Sequence, residues 1–258
     1  MKNEENFIYY SLKSVINYVE QIIVFDTGST DRTVEIVKSL MEEYPGKILF
    51  EEKGLCDKER HTILRQEMIE KTKTSWFMIL DGDEIWSSGG MLEILKNTSD
   101  TASSIECLIA PFYLCVGDIF HRYYKRGSIQ ILGKKDFFYP RVFKLTQGIK
   151  WHGNYGLDFL VNDNEEEFFN NSNSLFLKNK YWHVTHLVRS SISNDYSSGG
   201  LRSDKEIRTY FLIGRKINEK VPNVFNDKLR SFRLSSLKSF VNFFTFLKKN
   251  LLKRFLIR

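Results

Sequence analysis

Two short acidic segments follow apolar runs in the N-terminal third of the chain. The first is Asp26-Thr27-Gly28-Ser29-Thr30-Asp31, after QIIVF, and the second is Asp81-Gly82-Asp83-Glu84, after WFMIL. Two aspartates separated by one small residue can hold a divalent cation whose other ligands come from elsewhere, commonly from a substrate diphosphate. Carboxylates this close repel one another unless a cation or hydrogen-bond donors compensate their charge. The second segment therefore indicates a site for a metal and a phosphorylated ligand.

The residues around these segments alternate between predicted strands and helices. Apolar runs and helical spacing predict, in order, strand 21–25, helix 31–44, strand 47–51, helix 58–73 and strand 76–80. Such alternation is typical of βαβ units in a parallel sheet. Because the carboxyl ends of parallel strands lie at one edge of an open sheet, we expect both acidic segments to face the same crevice.

The pattern changes near residue 105. A helix is predicted after Ser87, and strand-like segments then dominate until a last helix; the strands cover 105–116, 139–145, 149–161 and 176–184, and the helix covers 203–220. The sequence therefore predicts an α/β fold with a mainly parallel twisted sheet, a Rossmann-like nucleotide-binding half and C-terminal helices.

The start of the chain does not fit this scheme completely. A helical segment over 7–18 has only Met1 and Lys2 before Asn3-Glu4-Glu5, where a doubly wound sheet needs a strand. Either the chain is cut or its start is misassigned, or the sheet closes without a central strand and leaves backbone groups of two neighbours unpaired. We expect the first of these explanations to hold.

The positive charge is concentrated at the C-terminus. The chain has 38 Lys and Arg against 32 Asp and Glu, but nine of the basic residues lie in 228–258, which has no acidic residue, so residues 1–227 carry a net charge of −3. Apolar residues at spacings of three or four separate these charges, a pattern that predicts peripheral contact with an anionic membrane. The alternative is a helix packed on its own domain. Nucleic acid is not an expected partner, because the body is acidic and has no aromatic and basic platform.

The remaining composition is that of a packed cytoplasmic protein. Of the 258 residues, 42% are hydrophobic and 14% aromatic, which excludes disorder for most of the chain. No apolar run approaches the roughly 18 residues of a membrane span, and no signal-peptide pattern is present. Cys56, Cys107 and Cys115 form no CxxC pair. We therefore expect a cytoplasmic protein, with its tail on the inner face of the membrane.

Four segments together resemble a known enzyme family. Asn3-Glu4-Glu5, IIVFDTGSTDRT from Ile22 to Thr33, Arg65, and WFMILDGDEIW from Trp76 to Trp86 are similar in order and spacing to family 2 glycosyltransferases with the A-type nucleotide-sugar fold. The similarity covers roughly residues 1–190. It implies transfer of a sugar, hexosyltransferase-like and with inversion, from a nucleotide-sugar donor to a hydroxyl. It also implies Mg²⁺ or Mn²⁺ as cofactor and a glycan or lipid-linked acceptor in envelope or surface glycan synthesis.

The resemblance implies roles for individual positions. Five residues would contact the donor: Glu4, Asp26, Asp31, Arg65 and Asp81. Asp26 matches the aspartate that contacts the base, Asp81 would face the ribose, and Arg65 would lie near the diphosphate. Asp83 would ligate the metal. A third metal ligand would be His183 or His186, between which spacing does not choose.

One stretch departs from the family pattern. Relatives often have a glycine followed by a His-Glu pair, whereas this chain has Gly156-Leu157 in place of the pair and Asp158 one position later. We predict Asp158 as the general base that accepts the proton of the attacking hydroxyl. The alternative is an acid that positions the acceptor.

Domain boundaries follow from the same resemblance. Residues 1–200 are the predicted glycosyltransferase domain, with a nucleotide-sugar-binding half over 1–105 and an acceptor half over 106–200. Residues 201–258 are the predicted C-terminal helical region with its basic amphipathic tail. The alternative for the whole chain is a catalytically inactive module that binds nucleoside diphosphates and docks on a membrane.

Overall fold

A computed structural model of the chain describes residues 1–100, 103–123, 127, 129–154, 156, 158–192 and 214–228. The helices in these residues are α1 (Ile8–Val15), α2 (Thr33–Glu43), α3 (Lys58–Lys71) and α4 (Ser88–Thr98), with a 3₁₀ helix over Asn223–Lys228. Helices α2, α3 and α4 confirm the helices predicted over 31–44, over 58–73 and after Ser87. The tail over 229–258, predicted to be helical, lies outside the described residues.

The strands are short and cover both halves of the described chain. They are β1 (Ile22–Asp26), β2 (Ile48–Glu52), β3 (Trp76–Met78), β4 (Glu84–Ile85), β5 (Cys107–Leu114), β6 (His121–Arg122), β7 (Ile129–Ile131), β8 (Lys134–Asp136), β9 (Phe138–Lys144), β10 (Lys150–His152), β11 (Phe159–Val161), β12 (Ser174–Phe176), β13 (Tyr181–His183) and β14 (Arg215–Lys216). The strands predicted around β1, β2 and β3 are confirmed. The single strand predicted over 149–161 is instead the antiparallel pair β10 and β11.

The main sheet is mixed, which differs from the mainly parallel sheet that the sequence predicts. It has six strands in the order β3-β9-β5-β13-β4, with β12 also paired to β5. Strand β9 runs antiparallel to both β3 and β5, whereas β12 and β13 run parallel to β5. Strands β1 and β2 form a separate parallel pair. Residue periodicity predicts β9 as a strand but does not report the direction in which it runs beside its neighbours.

The helix predicted over 203–220 is wrong in its C-terminal part, and its residues 203–213 lie outside the described residues. Arg215 and Lys216 form β14, antiparallel to β6. Ile217 is buried beside Trp182, and its N–H donates to the C=O of Phe120 at 2.8 Å. Apolar spacing suggested a helix face here, but an extended chain brings the same apolar residue into the core.

Helix α1 fixes the segment that follows β3. Its buried side chains face two clusters, since Tyr10 packs with Trp182 and Leu12 with the β1 side of the core. Its two buried serines bond to the acidic segment: Ser11 Oγ donates to the C=O of Asp81 at 3.1 Å, and Ser14 Oγ accepts from the N–H of Trp86 at 3.1 Å. The turn that carries the aspartates is therefore held at both ends.

A cavity of about 610 Å³ interrupts the sheet between β1 and β3. In the described part of the chain, β1 pairs as a strand with β2 alone and β3 with β9 alone. No helix among the described residues is long and apolar enough to cross a membrane.

Candidate active site

The turn after β1 is held by its own aspartate. The buried carboxylate of Asp26 accepts hydrogen bonds from the N–H groups of Gly28 and Ser29, both at 3.0 Å. Gly28 has φ of +87°, a conformation that side-chain-bearing residues rarely adopt, which accounts for the glycine in this turn. Asp26 therefore shapes the loop on which a nucleotide base would lie, and its contact with the base stays a prediction.

Asp31 fixes the other end of the same loop. One oxygen accepts from the N–H of Thr33, the first residue of α2, at 3.0 Å, and the other accepts from the N–H of Glu5 at 3.3 Å. Thr33 in turn accepts the N–H of Glu4 on its Oγ1 at 2.8 Å. Asp31 thus ties the N-terminal segment to the start of α2.

Glu4 reaches the acidic segment after β3 through an arginine. Its Oε1 pairs with Arg189 Nη1 at 2.7 Å, and the same nitrogen lies 3.4 Å from Asp83 Oδ2. A side chain at position 82 would place its Cβ 3.0 Å from Glu4 Cγ, so Gly82 permits the close approach. The structure thereby brings the predicted residues Glu4 and Asp83 to one place and joins them through Arg189.

Arg65 connects two other predicted residues. Its Nη1 pairs with Asp158 Oδ2 at 2.7 Å and its Nη2 lies 3.5 Å from Asp81 Oδ1, while the guanidinium lies over the ring of Trp151 at 4.7 Å. The N–H of Trp151 donates to Gln66 Oε1 at 2.9 Å, so α3 and β10 hold this group together. The predicted base and the predicted ribose-binding aspartate are therefore joined through one cation.

Asp81 is paired with a second arginine that sequence reasoning missed. Arg141 Nη2 lies 3.1 Å from Asp81 Oδ2. Burial opposes the charge of Asp81, but Arg141 and Arg65 outweigh it and hold the pKa of that carboxyl well below its ordinary value. Asp81 is therefore ionised and oriented at neutral pH.

Arg141 also pairs with the fully buried Glu84. Burial raises the pKa of Glu84, the neighbouring Asp81 and Asp83 carboxylates add to that increase, and the Arg141 guanidinium opposes it. The signal that could have found this pair is the sequence FYPRVF, in which one charged residue interrupts an apolar strand. A buried charge of this kind needs a partner.

The side chain of Asp158 is nearly buried beside Arg65. Beyond its pair with Arg65, its Oδ1 accepts the N–H of Gly156 at 3.0 Å, and His61 Nδ1 lies 4.0 Å from its Oδ2. Burial lowers the pKa of His61 to about 4, with the charge of Arg65 adding to the effect, so His61 is neutral at pH 7. Both oxygens of Asp158 therefore have partners that fix its orientation.

His183 is the histidine that the geometry places against Asp83. Its Nε2 lies 3.7 Å from Asp83 Oδ1, and its ring packs edge-on against Phe112 with centroids 5.1 Å apart. Burial lowers the pKa of His183, which favours the neutral form that ligates metals. His186 follows in the turn after β13, and its role as a ligand stays a prediction.

These residues fit a divalent cation that a bound diphosphate helps to hold. Within the described residues, no three His, Cys, Asp or Glu side chains converge as a complete ligand set. Asp83 and His183 offer one oxygen and one nitrogen, and His183 Nδ1 has no hydrogen-bond partner within the described part of the molecule. The carboxylates of the site outnumber its three guanidinium groups, leaving negative charge that a cation would neutralise. The donor set therefore suits Mg²⁺ or Mn²⁺ with phosphate oxygens as further ligands.

Comparisons with known proteins match this chain to glycosyltransferases. Residues 1–184 match the family model described as glycosyl transferase family 2. Over 111 residues the chain is 31% identical to the SPbeta prophage-derived glycosyltransferase SunS of Bacillus subtilis strain 168 and, equally, to glycosyltransferase SunS of Bacillus phage SPbeta. The matched region is 43% of this chain and 25% of each relative, so the chain spans about a quarter of their length.

Proposed function

The chain belongs to glycosyl transferase family 2, and on that basis we propose that it transfers a sugar from a nucleotide-sugar donor to an acceptor hydroxyl with a divalent cation. The observation that carries this proposal is the convergence of Asp81, Asp83, Arg65 and Arg189 at one edge of the sheet. Two arginines beside two aspartates are suited to a metal-bound diphosphate, because the guanidinium groups can bind its phosphate oxygens and an aspartate can bind its cation.

The arginines supply the main electrostatic contribution that this reaction needs from the protein. A nucleoside diphosphate gains negative charge as it leaves the sugar, and preoriented cations stabilise that charge without proton transfer. Arg65 is held by Asp158 and Asp81, and Arg189 by Glu4 and Asp83, so neither guanidinium has to reorganise far. When bound at Asp83 and His183, Mg²⁺ or Mn²⁺ would supply Lewis-acid stabilisation of the same leaving group.

The acceptor hydroxyl needs a proton acceptor, for which we propose Asp158. Its carboxylate lies beside Arg65 and so within reach of the donor region, and its orientation is fixed by Gly156. Direct attack by the hydroxyl on the sugar, with departure of the diphosphate on the opposite side, would invert the configuration at the transferred carbon. The proton of the hydroxyl would pass to the Asp158 carboxylate.

Replacement Asp158→Asn separates a catalytic role from a positioning role. If Asp158 accepts the proton, kcat should fall by about 10²–10⁴-fold while the KM for the donor changes little. If Asp158 only orients Arg65, the KM for the donor should rise while kcat stays the same. Asp158→Glu should then raise the donor KM as much as Asp158→Asn does. Steady-state kinetics with varied donor decide between these outcomes, and full turnover by Asp158→Asn would remove the base assignment.

We further propose that the basic segment over 228–258 contacts an anionic membrane and that the acceptor is a glycan or lipid-linked glycan there. The support is the clustering of nine basic residues among apolar ones in a chain whose remainder is acidic. The hexosyltransferase class, the envelope or surface role and the cytoplasmic location belong to the same proposal.

Deletion of residues 228–258 is expected to abolish binding to anionic vesicles while donor binding survives. Each basic residue near the surface contributes up to about 1 kcal/mol, so the loss should be at least about 100-fold in partition at low salt. Co-sedimentation with vesicles of anionic and of neutral lipid measures it. Unchanged sedimentation of the shortened chain would contradict a membrane role for the tail.

A transfer assay tests the proposed function as a whole. The purified chain is incubated with individual nucleotide sugars, Mn²⁺ and glycan or lipid-linked acceptors, and release of the nucleoside diphosphate is measured with and without a chelator. Metal-dependent release that requires both donor and acceptor supports the proposal. Tight binding of a nucleoside diphosphate without turnover in any combination would favour the inactive binding module.

A further inference from the structure

The carboxylate of Asp83 has a different neighbour on each of its oxygens. Its Oδ2 lies 3.4 Å from Arg189 Nη1, and its Oδ1 lies 3.7 Å from His183 Nε2. The cation proposed above would bind between Asp83 and His183, so it would share this carboxylate with the guanidinium of Arg189. The two positive groups therefore depend on one negative charge.

The charged groups around Asp83 are buried. The side chains of Glu4, Asp83 and Arg189 are 6%, 7% and 9% exposed, and Arg189 Nη1 pairs with Glu4 Oε1 at 2.7 Å. Two carboxylates and one guanidinium together carry one negative charge, so a divalent cation alone would leave this group with one positive charge. Positive charges repel each other strongly where little solvent screens them. Arg189 therefore opposes a divalent cation that arrives without an anion.

The other aspartate of the acidic segment does not supply the missing charge. Asp81 Oδ1 lies 3.5 Å from Arg65 Nη2, and Asp81 Oδ2 lies 3.1 Å from Arg141 Nη2. Two guanidinium groups therefore already compensate the charge of Asp81. The negative charge that a cation at Asp83 lacks is the charge that a diphosphate brings.

The backbone at Arg189 is fixed, so its guanidinium can change partners through the side chain alone. The C=O of Arg189 accepts from the N–H of Asn6 at 2.9 Å. Glu4, the closer partner of the guanidinium, is itself held by the bond from its N–H to Thr33 Oγ1 at 2.8 Å. The guanidinium can therefore leave Asp83 while it stays paired with Glu4.

We propose that Arg189 couples the cation to the diphosphate. It weakens the binding of a divalent cation alone at Asp83, and when a diphosphate is present it binds the phosphate oxygens and leaves Asp83 to the cation. Guanidinium groups form strong charge-assisted hydrogen bonds with phosphate oxygens. The inference rests on the proposed donor site and adds a dependence between the two ligands of that site.

The alternative is a fixed bridge, in which Arg189 only holds Glu4 and Asp83 in place. Loss of the arginine would then leave Asp83 less well oriented and would weaken cation binding. Coupling predicts the opposite sign, because loss of the guanidinium removes the charge that repels the cation. The affinity for the cation without any nucleotide therefore separates the two roles.

The first test measures Mn²⁺ binding to the full chain without nucleotide, from the electron paramagnetic resonance signal of free Mn²⁺. Arg189→Gln should bind Mn²⁺ at least about tenfold more tightly than the unmodified chain, a factor typical of coupled sites. Arg189→Lys should bind it as weakly as the unmodified chain, because lysine keeps the positive charge. The matched control is Arg32→Gln, which removes an exposed cation paired with Glu35 and should leave the affinity unchanged.

The second test measures the binding of nucleoside diphosphates by equilibrium dialysis, without Mn²⁺ and at one fixed concentration of free Mn²⁺. The ratio of the two Kd values reports the coupling, and its comparison between variants cancels the affinity of Mn²⁺ for the nucleotide in solution. Because coupling is reciprocal, this ratio should be at least about tenfold smaller for Arg189→Gln than for the unmodified chain. The ratio of the unmodified chain also tests the inference without any substitution.

Three results would overturn the inference. Mn²⁺ affinity of folded Arg189→Gln that equals or falls below that of the unmodified chain would make Arg189 a fixed bridge. Equal Kd values of the unmodified chain for nucleoside diphosphates with and without Mn²⁺ would show that no coupling exists. Failure of the proposed function gives a different result, since no nucleoside diphosphate would then bind any variant under either condition, and the inference would fall with it.

Discussion

Asp83→Asn is expected to lower metal-dependent sugar transfer at least about 100-fold while leaving the fold intact. The substitution keeps the size of a buried side chain beside His183 and Arg189 but removes the charge that would hold the cation. Changes to residues that merely support a metal ligand typically cost 10–100-fold, so loss of the ligand itself should cost at least as much. Donor turnover measured across a range of Mn²⁺ concentrations gives the result.

The matched control is Asp57→Asn, the same chemical change at a different carboxylate. Asp57 caps α3 by accepting the N–H of Arg60 at 2.8 Å, and asparagine caps helices equally well. Its turnover should stay near that of the unmodified chain. If Asp83→Asn retained Mn²⁺-dependent turnover within about twofold of this control, Asp83 would not be a metal ligand.

Arg141→Met is expected to reduce the free energy of unfolding by about 3–5 kcal/mol at pH 9, the cost of breaking a buried ion pair; this pH lies above the pKa of about 8 to which burial raises Glu84, so the pair is ionised there. Methionine retains apolar volume beside Tyr139 but leaves Glu84, which is fully buried, without its cation. Asp81 loses a charge partner as well. Urea denaturation followed by circular dichroism measures the change.

A second substitution shows whether the cost comes from Glu84. Adding Glu84→Gln to Arg141→Met should restore at least about 1 kcal/mol at pH 9, because folding then no longer requires the buried Glu84 carboxyl to take up a proton in the absence of its cation. Arg32→Met, which breaks the exposed pair with Glu35, should leave the urea midpoint unchanged. A loss below about 1 kcal/mol for Arg141→Met would show that Arg141 does not compensate a buried charge.

The local order of the site could be predicted because its signals are local. Apolar runs that end in Asp26 and Asp81 predict strands whose carboxyl ends carry the aspartates, and both strands are present. Helical spacing and the capping residues Asp57 and Ser87 likewise predict α3 and α4. These features depend on residues within one turn or one strand of each other.

The partners of the aspartates could not be predicted in the same way. Arg141 reaches Asp81 because β9 runs antiparallel beside β3, and Arg189 reaches Glu4 across 185 positions of sequence. Such contacts depend on strand direction and on long connections, which residue spacing does not encode. The choice of His183 beside Asp83 follows for the same reason, since β13 pairs with β4 in a register that sets His183 opposite Glu84.

Thermal unfolding of the unmodified chain with nucleoside diphosphates, in the presence and absence of Mn²⁺, tests whether the site binds a donor diphosphate together with a divalent cation. A ligand that binds only the folded state at about 100 times its Kd stabilises it by about 2.7 kcal/mol, which corresponds to a rise in Tm of roughly 5–10 °C. We expect such a rise for at least one nucleoside diphosphate and its abolition when Mn²⁺ is removed. Absence of any rise across all the nucleoside diphosphates with Mn²⁺ present would contradict it.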